Sequence, residues 1–265
     1  MTTPQRDLWI SGDRYEPYVG RWSRRVARDF VDWLGVGPGK RWIDVGCGTG
    51  ALAQTVLERA APEHVFGIDP SEGFLANAQR YITDPRAHFE IAGAEALPVA
   101  DDSFDAAISG LVINFVPDQP GAALELRRAL RPGGTAGAYV WDYAGEMQMM
   151  RRFWDAAIAL DPAVRDREEG LRFPLCRPEP LAALFRGAGF RSVEVRAIDV
   201  PTVFRDFDDY WSPFLTAQAP APTYCMSLSE EKRAVLRERL RATLPAQPDG
   251  TIPLIARAFA VRGVK

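Results

Sequence analysis

Asp44-Val45-Gly46-Cys47-Gly48-Thr49-Gly50 joins an apolar run, Arg41–Val45, to the amphipathic segment Ala51–Ala61, in which Leu52 and Val56 share a face. The first pattern predicts a short buried strand and the second a helix. The glycines between them let the backbone turn tightly and let a ligand approach where no Cβ stands in the way. On the far side the same alternation continues. His64–Ile68, Ala87–Ile91, Phe104–Ser109 and Thr135–Trp141 read as strands. Glu72–Tyr81, with Ser71 as N-cap, and Ala122–Leu130, stopped at Arg131-Pro132-Gly133-Gly134, read as helices. Upstream, Trp22, Val26 and Phe30 recur along a helix from Arg21 to Leu34 that Gly35, Gly37, Pro38 and Gly39 break. Strands alternating with helices predict an α/β, doubly wound, mostly parallel sheet, and near-continuous apolar strands fit burial on both faces.

After Trp141 the alternation changes. Glu146–Leu160 and Glu179–Ala188 read as helices, and Val193–Val200 alternates like a strand near the sheet edge. Ser227-x-x-Glu230 reads as a capping box before a charged helix, and Ile252–Val261 as the last strand. The expected organisation is one domain over 1–265. Its core covers about 21–142, 178–200 and 251–265, with helical cap insertions at about 143–177 and 201–250.

In open α/β sheets, ligands bind beyond the carboxyl ends of the strands, where the strand order reverses. The glycine run is therefore expected at a cofactor site. A dinucleotide fingerprint has the spacing G-x-G-x-x-G. Here the spacing is G-x-G-x-G, and Ala51 stands where the third glycine would fall. Asp44 beside the loop would repel a pyrophosphate but attract the ammonium or sulfonium of S-adenosylmethionine. Asp69, ending the second strand, can accept hydrogen bonds from ribose hydroxyls in either cofactor.

At these residues the chain resembles the class I S-adenosylmethionine-dependent methyltransferases, in particular the small-molecule branch that includes quinone-biosynthesis enzymes. The resemblance runs from about Tyr15 to Val140, through Asp44–Gly50, Asp69-Pro70-Ser71, Ala92–Pro98, Asp102–Asp105 and Leu130–Gly134. It implies a Rossmann-like sheet of seven strands with the last antiparallel. It implies that Gly46, Cys47 and Gly48 flank the methionine part of S-adenosylmethionine, that Asp69 holds the ribose, and that Pro70 and Phe74 pack near the adenine. One position departs from the family. A Gly-Asp-Ala run often supplies an Asp to the adenine amino group, and Gly93 stands at that Asp here, leaving adenine to the backbone of Ala94 and Glu95 or to other residues. Ser109-Gly110-Leu111-Val112 follows the fourth strand, with Ser109 expected at the cofactor. The Asn- or Asp-Pro-Pro-aromatic run of nucleic-acid amino-methyltransferases is absent there.

Other residues carry two readings each. Tyr18 and Arg21 either contact the cofactor carboxylate or pack the start of the first helix. Asp142 and Tyr143, the catalytic candidates, either orient or deprotonate a substrate or, for Asp142, cap a helix. Phe204, Phe207, Tyr210, Trp211 and Phe214 either wall an apolar pocket or form the core of the cap. The charges from Glu230 to Arg241 read as a solvated helix face.

Composition narrows the rest. A net charge of -3 with no basic run argues against nucleic acid as partner. No apolar run reaches the about 18 residues of a membrane span. The polar start, Met1–Arg14, has no signal-peptide core, and three scattered cysteines suit a cytoplasmic setting. Two histidines, His64 and His88, lie on predicted strands, and no metal-ligand spacing occurs. The expected function is methyl transfer from S-adenosylmethionine to a small-molecule acceptor that the sequence does not name. A nicotinamide-dependent oxidoreductase and a non-catalytic cofactor-binding protein on the same fold are the alternatives.

Overall fold

The glycine-flanked run Arg41–Val45 forms strand β1, and the apolar runs after it form β2 (His64–Asp69), β3 (Ala87–Ile91), β4 (Phe104–Gly110) and β5 (Leu130–Trp141). With β6 (Arg191–Phe204) and β7 (Ile252–Val264) they make one seven-stranded sheet in the order β3-β2-β1-β4-β5-β7-β6. The computed structural model describes residues 21–216 and 219–265. β1 pairs in parallel with β2 and β4, β2 with β3, and β4 with β5, whereas β7 runs antiparallel to β5. The chain builds outward from β1 to β3 and then crosses to β4, so the order reverses between β1 and β4. This is the topological switch point where such sheets hold ligands.

The chain packs as two compact units. The first holds Ser23–Trp141, Leu175–Ile198 and Ala258–Lys265. Its helices are α1 (Arg21–Leu34), α2 (Ala51–Arg59), α3 (Glu72–Tyr81), α4 (Gln119–Ala129) and α7 (Pro178–Gly187). α1 buries Val26, Ala27 and Phe30, as their spacing predicts, and Gly35 ends it at φ +67°. Ser71 caps α3, its hydroxyl accepting from the Phe74 N–H at 3.4 Å. β1 and β2 are buried almost throughout, Ile43, Val65 and Ile68 being fully enclosed, as parallel strands covered on both faces require.

The second unit holds Asp142–Pro174 and Asp199–Arg257 together with Trp22. It contains α5 (Gln148–Leu160), α6 (Glu169–Arg172), α8 (Phe207–Trp211), α9 (Pro220–Ser227) and α10 (Glu230–Thr243). Its core is aromatic. Phe153 stacks on Phe214 at 4.4 Å, Phe204 meets Tyr210 at 5.3 Å, and the Tyr210 hydroxyl donates to the Met149 carbonyl at 2.9 Å. Of the two readings of the aromatic stripe, the core reading describes it. Phe204, Tyr210 and Phe214 are fully buried, and Phe207 and Trp211 nearly so.

Three expected boundaries move. Arg131–Gly134 does not separate helix from strand, because α4 ends at Ala129 and β5 begins at Leu130. The pairing jumps from Phe104↔Leu130 to Ala106↔Thr135, so the turn residues are absorbed as a bulge with Gly133 at φ +80°. The Gly133 N–H donates to the Lys265 carbonyl at 3.1 Å, and the Lys265 N–H to that of Gly134 at 3.0 Å. β6 runs on to Phe204, past the expected end at Val200. The cap of α10 is Ser229, whose hydroxyl accepts from the Lys232 N–H at 3.3 Å. Ser227 instead donates to the Tyr224 carbonyl at 2.8 Å, closing the end of α9.

Candidate cofactor site

The bend after β1 is held from beneath by β2. The N–H groups of Gly46 and Cys47 both donate to the Ile68 carbonyl, at 2.8 and 2.9 Å. The three glycines answer three different needs. At Gly46 a Cβ would lie 2.4 Å from Val112 Cγ1, so the absence of a side chain seats the loop following β4. At Gly50 a Cβ would lie 2.4 Å from Ile82 Cδ1. At Gly48 a Cβ would meet nothing within 4 Å, so this glycine leaves open space above the bend. All three have positive φ, at +74°, +54° and +85° in order, a region costly for other residues. Cys47 turns its sulfur toward β2, 3.0 Å from where a Cβ on Gly67 would stand, and so offers the bend only its backbone.

Asp69 is 7% exposed and aimed by two backbone donors. The Gly48 N–H donates to its Oδ2 at 3.0 Å and the Ser71 N–H to its Oδ1 at 2.8 Å. The carboxylate is thus tied to the glycine bend, and each oxygen keeps a lone pair for a ligand hydroxyl. Burial raises its pKa, opposed by those two N–H groups. Pro70 is exposed and Phe74 half-buried beside it, which leaves both surfaces free for a planar base. The loop after β3 adjoins Asp69, since the Ala92 N–H donates to the Asp69 carbonyl at 3.3 Å. In that loop Ala94 is half-buried and Glu95 exposed. Glu95 Oε2 lies 3.4 Å from where a Gly93 Cβ would be, so a carboxylate does reach the place where Gly93 has no side chain.

Asp44 is fully buried, and neither of its carboxylate oxygens has a hydrogen-bond partner among the described residues. Burial pushes its carboxyl up to about 8. The Ala53 N–H in the first turn of α2 opposes this without completing a hydrogen bond, and the nearby charge of Asp69 adds to it. An unpaired buried acid is costly to ionise, and a cation beside it removes the cost. The open space at Gly48, the aimed Asp69 and the orphaned Asp44 fit a nucleoside whose other end is cationic. They do not fit a diphosphate against the bend, which would set like charges together.

Ser109 is buried at the carboxyl end of β4. Two features of the loop that follows escape the periodicity of the sequence. Leu111 has φ +62°, the left-handed region, and Asn114 is buried with an unpartnered Nδ2. Asn114 lies in an apolar run that reads as plain packing, and an Asn four places after the end of a strand carries no pattern of its own.

The catalytic candidates lie in the second unit. Asp142 is 7% exposed, and both its oxygens are engaged, Oδ1 accepting from the Gly145 N–H at 3.0 Å and Oδ2 from the Glu146 N–H at 2.9 Å. Its capping reading is therefore the one the structure describes, although it caps the turn before α5 and not the helix itself. Tyr143 is buried against Phe173, their rings 5.7 Å apart. Tyr18 lies outside the described residues, as does the side chain of Arg21. His64 and His88 flank Phe66, stacked at 6.4 and 5.4 Å. Among the described residues no cluster of His, Cys, Asp or Glu is arranged to hold a metal ion, and no helix is long and apolar enough to cross a membrane.

Comparison with known proteins identifies the family. Residues 43–137 match a family model described as a methyltransferase domain. An uncharacterized protein of Mycobacterium tuberculosis is 33% identical over 147 residues, 55% of this chain and 53% of its own length. The chain thus spans about half the length of that relative. The ubiquinone/menaquinone biosynthesis C-methyltransferase UbiE of Dinoroseobacter shibae is 30% identical over 189 residues, covering 65% of this chain and 75% of that protein. Among solved structures, Haemonchus contortus phosphoethanolamine N-methyltransferase 2, in complex with phosphomonomethylethanolamine and S-adenosylhomocysteine, has the same fold. Its TM-score is 0.59 at 18% identity, covering 96% of this chain and 56% of that one.

Proposed function

The chain belongs to the class I S-adenosylmethionine-dependent methyltransferases, and from that premise we propose that it transfers a methyl group to a small-molecule acceptor. The observation that carries the reading is the fully buried carboxylate of Asp44 beside the glycine bend, without a partner among the described residues. S-adenosylmethionine, the cofactor of the family, supplies an electrophilic methyl on a positively charged sulfur.

The chain's own residues do the holding. Asp69 accepts from the ribose hydroxyls, already aimed by Gly48 and Ser71. Asp44 balances the cationic amino-acid end. Gly48 gives the backbone room to touch it. Pro70 and Phe74 cover one side of the adenine, and Ala94 and Glu95 meet its edge. Cys47 and Ser109 contribute through their backbones beside the methionine portion. Holding both reactants in register supplies about 7–11 kcal/mol of the barrier where orientation is good. A small acceptor is favoured by the lack of any basic run in the sequence and by the loop Ser109-Gly110-Leu111-Val112, which lacks the motif that grips nucleic-acid bases. Segments 143–177 and 201–250 are read as insertions into one methyltransferase domain. Three buried, free cysteines suit reaction in the cytoplasm.

Calorimetric titration tests the reading. S-adenosylmethionine and S-adenosylhomocysteine are expected to bind and NAD to leave no heat. Asp69→Ala should weaken binding by about thirtyfold, the loss of hydrogen bonds to a charged group. Preference for NAD, or unchanged affinity in Asp69→Ala, would overturn it.

A further inference from the structure

We infer that Asn114 holds the reacting oxygen of the acceptor, and that the acceptor is a phenol or enol bound as its anion. This rests on the methyltransferase reading above. Asn114 sits in the single turn Ile113–Phe115, just past the carboxyl end of β4. It is 4% exposed, yet its Nδ2 has no acceptor among the described residues. A buried amide N–H without a partner costs about 1–3 kcal/mol, so its retention points to a ligand that supplies the acceptor.

The backbone around it is held under strain. Leu111, two residues past the end of Ser109, takes φ +62°, fixed by its N–H donating to the Tyr139 carbonyl at 2.8 Å. Gly110 makes room for the Tyr139 hydroxyl, 2.6 Å from where its Cβ would be. Val112 fills the space Gly46 leaves. Strain of this kind, in a loop seated against the cofactor bend, fixes where the next few side chains can lie.

The strand order gives the direction. β2 carries Asp69 for the ribose, β1 carries Asp44 for the cationic end, and β4 is the next strand beyond. A second molecule that meets the cofactor from the β4 side of the bend meets this loop, in which Asn114 is a buried donor. Its neighbours in the chain, Leu111 and Ile113, are buried and apolar. No Lys, Arg or His occurs from Ser109 to Asp118, so nothing in this loop matches a carboxylate or phosphate. A neutral amide among apolar groups suits an uncharged ring or chain with one oxygen.

A hydrogen bond to the ionised form lowers the pKa of that oxygen. The proton it loses goes to water, and the lone pair left behind is the nucleophile. This route needs no side-chain base. Among the described residues, Asp44 and Asp69 belong to the bend and the exposed Glu95 and Asp118 to the loops after β3 and β4. All are acids, which oppose an anion, so the lowered pKa must come from the amide.

The test uses p-nitrophenol, whose absorption reports its own ionisation. Titrated into wild type saturated with S-adenosylhomocysteine, the bound probe should ionise about one pH unit below the free probe, a roughly tenfold gain in phenolate. Asn114→Leu should abolish that shift while its affinity for S-adenosylhomocysteine, read by calorimetry, stays within about twofold. Asn114→Asp, which keeps the shape but brings a negative charge, should also lose it. No shift in the saturated wild type, a shift that survives in Asn114→Leu, or a parallel loss of S-adenosylhomocysteine affinity would each overturn the assignment. Wild type that fails to bind S-adenosylhomocysteine would remove the methyltransferase reading itself, and the assignment with it.

Discussion

Asp44 is a buried acid whose oxygens have no partner among the described residues. Its folded pKa, about 8, stands far above its ordinary 3.8, because burial penalises the ionised form. The sign of the consequence follows. A carboxyl raised on folding contributes stability that is fully present below 3.8 and is lost as the pH rises through about 8. The ligand-free protein should therefore lose melting temperature between about pH 4 and 8 and level off above, and Asp44→Asn should flatten that decline. Binding of the cationic cofactor requires the ionised form, so its affinity should fall about tenfold for each pH unit below 8 in wild type and show no such slope in Asp44→Asn. Differential scanning fluorimetry and calorimetry across that range check both halves. A flat wild-type profile would mean that Asp44 already has its countercharge without the cofactor.

At the scale of elements, the sheet is positioned by where side chains are missing. Strand β5 meets helix α1 at Gly137, where a Cβ would lie 2.6 Å from Leu34 Cδ2 and 2.9 Å from Phe30 Cζ. Both are core side chains, Phe30 fully buried, so neither has room to give. Gly137→Ala should cost about 1–3 kcal/mol through overpacking, seen as a lower denaturation midpoint, with cofactor affinity nearly kept because the bend after β1 is untouched. A neutral result would show that α1 slides freely on β5. The bulge in β5 has a similar logic. Arg131-Pro132-Gly133-Gly134 reads as a stop signal and does end α4, but the strand begins before the signal is over. Lys265 pairs with Gly133 and Gly134 through its backbone, and its Nζ donates to the Leu130 carbonyl at 2.7 Å. Residues distant in the chain thus give the turn the hydrogen bonds that make it part of the ladder.

For the molecule as a whole, the described residues assigned to the cofactor lie, Arg21 apart, in the unit built on Ser23–Trp141. Hydrogen exchange should therefore slow on adding S-adenosylhomocysteine at Gly46–Gly50 and Asp69–Phe74, while α10, Glu230–Thr243, exchanges as before. Equal protection of α10 would show that the cofactor also orders the second unit. Much of this was legible in advance. The alternation of apolar runs, the glycine spacing, Asp44, Asp69 and the Ser71 cap are local patterns, each set by the period of a strand or helix or by the φ that a residue tolerates. They determined the fold class and the kind of cofactor. The sequence could not separate a base from a cap at Asp142, or a pocket from a core at Phe204–Phe214, because each depends on which distant groups fill the surrounding space. Only the tertiary structure left Asp44 and Asn114 without partners among the described residues, tied both oxygens of Asp142 to the turn that follows it and brought Val112 against Gly46. Hydrogen-bond satisfaction and steric clearance are settled between strands that the chain order keeps far apart.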